Sequence, residues 1–222
     1  MRIAIEKILL KFFPKLYFGL TRAQDSNDRY LFGYNFIKKN KKDNLNILDV
    51  GCGSGNFYSY INSISKKINY TGIDFDYEKI SKKKFYGNKN FKIISKDLRE
   101  SWNLNEYDFV WSSEVIEHLF DDKKFFNQLV KSTKENGYII ITTPYLDSYL
   151  ANANKYGWSI KPSKEEIVGH VKLGYTEQDL VNLGKENSLS LEDIYFISEC
   201  NNFRSKYFFK LNNGILCYIF NF

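Results

Sequence analysis

The stretch Ile47-Leu48-Asp49-Val50-Gly51-Cys52-Gly53-Ser54-Gly55 constrains the fold more than any other part of the chain. A short apolar run ends in an acid and then in a turn where every second residue is glycine. Glycine there permits positive φ and lets the backbone come close against a ligand. A helix starting just beyond would direct unpaired N–H groups at that ligand. The local pattern is strand, ligand-cradling loop, helix, which is how an open parallel sheet begins its binding edge.

From residue 45 onward, short apolar runs alternate with longer amphipathic stretches, the signature of a parallel α/β sheet. Strands are predicted over 46–50, 70–74, 91–95, 108–112 and 138–142, with helices over 56–65, 77–85 and 121–134 between them. Asn136-Gly137 reads as the C-terminal stop of the last helix. The run from Tyr138 to Thr142 is nearly continuous in β-branched residues, which predicts a strand buried on both faces. After Pro144 the rhythm breaks: 145–175 is too long for an ordinary connection, so it is functional or locally folded. Thr176-Glu177-Gln178-Asp179 then opens a helix with a polar, acidic first turn. A strand over 191–197 and an antiparallel one near 215–220 close the chain. At 222 residues this is read as one domain, with a helical cap (1–43), a ligand-binding core (44–144), an insertion over the substrate (145–175) and a C-terminal helix and strands (176–222).

The net charge of +6 is carried almost entirely by lysine; arginine occurs only at positions 2, 22, 29, 99 and 204. A nucleic-acid face clusters arginine, which forks onto phosphates and bases, so a nucleic-acid partner is disfavoured. The three cysteines, Cys52, Cys200 and Cys217, give neither a disulfide framework nor a paired zinc spacing, and a reducing cytoplasm is expected. The segment 3–20 is apolar but interrupted by Glu6, Lys7, Lys11, Pro14 and Lys15. It reads as a helix packed on the domain or as a basic amphipathic segment making peripheral membrane contact, the packed helix being favoured. No residue pattern specifies an oligomeric state.

The loop spacing is Gly51-x-Gly53-x-Gly55, with Asn56 where a dinucleotide turn has its third glycine. Acids also end the next two strands: Asp74 in Gly72-Ile73-Asp74, and Asp97 in Ser95-Lys96-Asp97-Leu98. In these features residues 44–196 resemble the class I S-adenosylmethionine-dependent methyltransferases. The resemblance implies a Rossmann-like, seven-stranded, mostly parallel sheet flanked by helices, its last strand antiparallel, and a cytoplasmic methyl-transferring enzyme. It implies that Asp49, Gly51, Cys52, Gly53 and Gly55 hold the methionine portion of S-adenosylmethionine. Asp74, with Phe75 beside it, would take the ribose hydroxyls, Asp97 and the Leu98 amide would read adenine, and Ser112 would line the cofactor from below.

Glu114-Val115-Ile116-Glu117-His118 follows the fourth strand directly. On a helical turn, Glu114, Glu117 and His118 would share one face beside the transferred methyl group. The chain's other histidine, His170, closes the 145–175 insertion. Two carboxylates and two imidazoles are a ligand set for a divalent cation. The arrangement resembles metal-using O-methyltransferases that act on small-RNA 3′ ends and on ubiquinone-pathway catechols, implying Mg²⁺ or Mn²⁺ at Glu114, Glu117, His118 and His170. Two other readings stand beside it: His118 as a metal-free general base, and a structural role for the cluster. The segments 25–36 and 145–175 would build the acceptor pocket, with Tyr30, Tyr145 and Trp158 as candidate walls. Gly169-His170-Val171-Lys172-Leu173-Gly174-Tyr175-Thr176 also resembles bacterial glycan-cluster methyltransferases, which puts a small molecule, sugar or glycan precursor first as acceptor. A small-RNA terminal 2′-hydroxyl and a quinone-type catechol come second. An N-methyltransferase and, from another class, a non-catalytic cofactor-binding subunit remain as rivals.

Overall fold

Five of the six residues of β1 (Leu45–Val50) are buried, and this strand lies inside the sheet. The structure is a computed structural model and describes residues 24–40, 44–64, 67–75, 88–157, 159–166, 169–198 and 214–221. β1 pairs in parallel with β2 (Ile68–Asp74) on one side and β4 (Tyr107–Ser113) on the other. β3 (Phe91–Ser95) extends the sheet beyond β2, and β5 (Thr133–Pro144) extends it beyond β4, again in parallel. β7 (Gly214–Asn221) then runs antiparallel to β5, and β6 (Ser190–Ser198) antiparallel to β7, for the order β3-β2-β1-β4-β5-β7-β6. The closing strand thus lies between two others rather than on the rim.

Side-chain alternation with a period of two divides the core between the two faces of the sheet. Leu48, Val50, Val110, Ile139 and Ile141 point to one face, where Phe125, Phe126 and Leu129 of α3 (Asp122–Ser132) and Leu180 and Leu183 of α5 (Glu177–Glu186) cover them. Ile47, Phe109, Trp111 and Ile140 point to the other, covered by Ile37 of α1 (Gln24–Lys39) and by Phe57 and Ile61 of α2 (Asn56–Ile61). That second layer is aromatic: Phe57 stacks on Trp111 with ring centroids 4.4 Å apart. Within α1, Gly33 makes the close approach possible, since a Cβ there would sit 2.7 Å from the Trp111 ring and 2.9 Å from that of Phe57.

Helix boundaries follow local hydrogen bonding. α3 starts where the Asp121 carboxylate accepts from the Lys124 amide at 2.9 Å. It ends at Ser132, earlier than the predicted residue 134, where the Ser132 and Thr133 hydroxyls turn back onto the carbonyls of Gln128 and Leu129. Asn136-Gly137 therefore does not stop a helix. The β4–β5 register shifts between the pairs Tyr107–Thr133 and Phe109–Tyr138, and Asn136, at φ +59, lies in the extra length on the β5 side. α2 stops at Ile61 rather than residue 65. α5 has the anticipated N-terminus, a reciprocal box in which Thr176 and Asp179 satisfy each other's amides.

The insertion opens with α4 (Leu146–Tyr156). Its base is clamped where Tyr175 N–H donates to the Pro144 carbonyl (2.9 Å) and Leu146 N–H to the Tyr175 carbonyl (3.0 Å). The helix predicted over 77–85, the 3–20 segment and Cys200 lie outside the described residues. Among the described residues, no helix is long and apolar enough to cross a membrane.

Replacing Gly33 by alanine raises intrinsic helix propensity by about 1 kcal/mol but forces the new methyl into two ring systems. Gly33→Ala is expected to lower stability on balance, by about 1–3 kcal/mol, read as a reduced urea midpoint with unchanged slope.

Candidate active site

β2 and β3 lie to one side of β1, and β4 and β5 to the other, so connections leave the C-terminal edge between β1 and β4 in opposite directions. Open α/β sheets bind ligands in the crevice at such a point. The glycine loop occupies one lip, with Gly51, Gly53 and Gly55 all at positive φ (+74, +51 and +68). A Cβ on Gly51 would lie 2.3 Å from Val115 Cγ2, so the loop after β1 abuts the segment after β4. At Gly53 nothing lies within 4 Å of the Cβ position, and the loop is open there. Four of the five amides from Gly51 to Gly55 are engaged internally. Gly51 and Cys52 donate to the Ile73 carbonyl (2.9 and 3.1 Å), Gly55 to the Cys52 carbonyl (2.8 Å) and Gly53 to Asp74 Oδ2 (2.8 Å). With those amides turned inward, the open backbone of Gly53 is what the loop presents to the crevice. Cys52 is buried, and burial pushes its thiol pKa up.

The three predicted cofactor acids each have a protein partner. Asp49 is buried and accepts a hydrogen bond from the Tyr70 hydroxyl. Burial raises its pKa to about 7 against the Tyr70 hydrogen bond, with Asp74 adding repulsion. Asp74 braces Gly53. Asp97 is held by the Arg99 guanidinium, whose Nε lies 2.9 and 3.0 Å from its two oxygens, and this keeps its pKa low. Phe75, 53% exposed, stands free of the core beside Asp74, whereas Leu98 packs partly on it. Ser112 is buried with an unpartnered Oγ. Tyr30 packs against Phe57 and Tyr60, and burial followed by the nearby Asp49 pushes its hydroxyl pKa up to about 12. Tyr145 donates to Asp147 at the base of the insertion (3.0 Å), and Trp158 lies outside the described residues.

The Glu114–His118 stretch does not form the predicted helical face. Glu114 sits at φ +56, and only Ile116–His118 forms a single 3₁₀ turn. This separates the two carboxylates. Glu114 pairs with Arg29 Nη1 (3.3 Å) and accepts from Thr142 Oγ1 (3.1 Å). Glu117 has no exposed surface: Thr143 donates to its Oε2 (3.0 Å), and its Oε1 has no hydrogen-bond partner. Burial, then repulsion from Glu114, holds Glu117 well above the usual carboxylate range.

The backbone brings His170 to this turn. Val171 and Lys172 amides both donate to the Glu117 carbonyl (2.9 and 3.1 Å), and His118 Nδ1–H donates to the Gly169 carbonyl (3.1 Å). A carbonyl only accepts, so Nδ1 carries the proton and Nε2 of the neutral ring keeps its lone pair. That nitrogen faces Glu117 Oε1 at 4.0 Å, and the two imidazoles meet edge to face with centroids 4.7 Å apart. Glu117, His118 and His170 each offer one ligand atom within 4.8 Å of the others; Glu114 stands outside this group. Burial, then His118, lowers the His170 pKa and favours its neutral form. Residues to which the sequence assigned no part in the site complete the network: Arg29, Ser113, Thr142, Thr143 and Gly169. The scarcity of arginine was the available signal for Arg29; the threonines looked like ordinary strand residues.

The profile of a family described as methyltransferase domain matches residues 23–193. The ubiquinone biosynthesis O-methyltransferase of Rickettsia typhi is 36% identical over 113 residues, covering 50% of this chain and 43% of that protein. Its counterpart in Rickettsia bellii strain OSU 85-389 is 33% identical over 133 residues, covering 55% of each. The chain thus spans about half the length of the curated relatives it matches. The N-methyltransferase NodS of Bradyrhizobium japonicum WM9, solved with S-adenosyl-L-homocysteine, superposes with a TM-score of 0.62 at 14% identity, over 91% of this chain and 89% of that one. At that identity the likeness is one of fold.

The raised pKa of Asp49 gives a pH signature. The folded chain binds this proton more tightly than the unfolded one, whose carboxyl titrates near 3.8. The associated stability is present below about pH 4 and lost as pH rises through about 7, by as much as about 4 kcal/mol. Urea titrations at pH 4.5 and 8 should show wild type losing stability relative to Asp49→Asn across this window.

Proposed function

We propose, from the premise that the chain belongs to the methyltransferase-domain family, that it transfers the methyl group of S-adenosylmethionine to a hydroxyl of a small molecule. The observation carrying this reading is one juxtaposition. The open glycine loop braced by Asp74 lies against the segment that carries buried Glu117 to the two histidines. A methyl donor in the crevice would have its sulfonium on the loop side and the acceptor oxygen on the Glu117 side. Phe75 offers an exposed ring face for the base, and Tyr30 and α1 cover the approach from the aromatic layer.

The donor set suits a divalent cation. An orphaned buried carboxylate oxygen, a bare imidazole nitrogen and a second neutral imidazole lie within ligand reach of one centre. Glu117, His118 and His170 would hold Mg²⁺ or Mn²⁺, which supplies Lewis acidity toward an acceptor hydroxyl. Thr143 and the Gly169 carbonyl fix the orientations of Glu117 and His118, as outer partners of metal ligands do. This favours an acceptor with adjacent hydroxyls, a catechol or a sugar diol, and the ubiquinone-pathway relatives favour the catechol. One observation supports a second reading: the Nδ1–Gly169 bond leaves Nε2 free to take the acceptor's proton directly, making His118 a general base.

Calorimetry with S-adenosyl-L-homocysteine should give binding heat, and labelled methyl should transfer from donor to a panel of catechols and sugar diols. Glu117→Gln and His118→Ala should each lower turnover by about 100-fold or more while leaving cofactor affinity unchanged. Activity lost with chelator and restored by Mg²⁺ or Mn²⁺ supports the cation. Full activity in chelator supports the base. No heat with the cofactor product would overturn the proposal.

A further inference from the structure

Arg99 lies between two acids on different parts of the fold. Its Nε is 2.9 and 3.0 Å from the oxygens of Asp97, in the loop after β3, and its Nη1 is 3.6 Å from Glu166 Oε2, in the insertion. The other oxygen of Glu166 accepts from the Phe120 amide at 2.6 Å. Phe120 follows His118 by two residues, and Glu166 precedes Gly169, whose carbonyl holds His118, by three. The Glu166 carboxylate therefore bridges the two segments that bear the histidines. Lys124 of α3 donates to the Arg99 carbonyl (2.8 Å) and holds the arginine backbone in place. Arg99, Leu98, Phe120 and Glu166 line one cavity of about 210 Å³.

We propose that Arg99 and Glu166 are positioning residues that couple occupancy at Asp97 to the placement of His118 and His170. This rests on the reading that the adenosyl group of the cofactor lies over Asp97. A guanidinium fork matches one carboxylate in bidentate fashion, so Arg99 serves Asp97 fully and Glu166 only weakly at 3.6 Å. An amino group donating to Asp97 takes one of its oxygens and releases part of the fork toward Glu166. Glu166, gripped more tightly, then holds 169–172 against the Ile116–His118 turn. The donor end of the site thereby reports its occupancy to the acceptor end without a residue touching both ligands.

Hydrogen exchange on the full chain, with and without S-adenosyl-L-homocysteine, tests this together with calorimetry on the same samples. In the wild type the ligand should slow exchange at the Val171 and Lys172 amides by about fivefold or more. Arg99→Ala and, separately, Glu166→Gln should still bind the ligand but lose that added protection. Both should lower kcat more than they raise KM for the donor, and Arg99→Lys should recover part of kcat. Ligand heat with no change in exchange in the wild type overturns the coupling alone. So does protection that survives in both variants. Absence of ligand heat in the wild type overturns the cofactor reading itself.

Discussion

A carboxyl group with no exposed surface is the costliest feature of this edge of the sheet, and much of the surrounding architecture serves it. Moving an ionised Glu117 out of water without compensation would cost several kcal/mol, so the group is held toward its neutral form. Its neighbours compensate only in part. Thr143 donates to one side-chain oxygen, and the backbone carbonyl of Glu117 itself takes the amides of Val171 and Lys172 from the insertion. The second side-chain oxygen has nothing among the described atoms. Native interiors seldom tolerate such an atom unless it has a task, and here it points toward two imidazoles. The 3₁₀ turn, the extension of β5 to Pro144 and the return of the chain at Tyr175 all hold that one group in place.

The sheet was largely legible because the burial patterns of β1, β2, β4 and β5 are written in their residues. The isoleucine run of β5 and the loop after Val50 admit few other folds. Where local pattern and structure differ, two local signals compete. Asn136-Gly137 carries the left-handed chemistry that ends helices, but two hydroxyls folding back on the preceding turn ended α3 earlier, leaving that chemistry to shape a bulge. Spacing alone suggested that Glu114, Glu117 and His118 share a helical face. The positive φ at Glu114 is a tertiary outcome, fixed by Arg29 and Thr142, and no pattern of nearby residues foretells it.

The acids at the C-terminal ends of β1, β2 and β3 were recognisable by type and position, yet their partners were not. Tyr70, the Gly53 amide and Arg99 lie from two to 21 residues away, and each contact depends on strand register or on the turn of a loop. Sequence therefore located the crevice without revealing how its charges are balanced. The same holds for the histidines. One sits in the recognisable turn and the other 52 positions later, joined by backbone hydrogen bonds that leave no compositional trace.

The interposition of β7 between β5 and β6 has a consequence for biosynthesis. Among the described residues β6 pairs in the sheet only with β7, so when it leaves the ribosome it has no strand edge on which to dock. Until residues 214–221 follow, β5 presents an unpaired rim and β6 has only its helix-side contacts, such as Tyr195 against Phe32, and both strands lack a hydrogen-bonding neighbour there. Completion of this sheet is therefore a late, long-range event, and factors that shield exposed strand rims during translation would act on this protein in that interval.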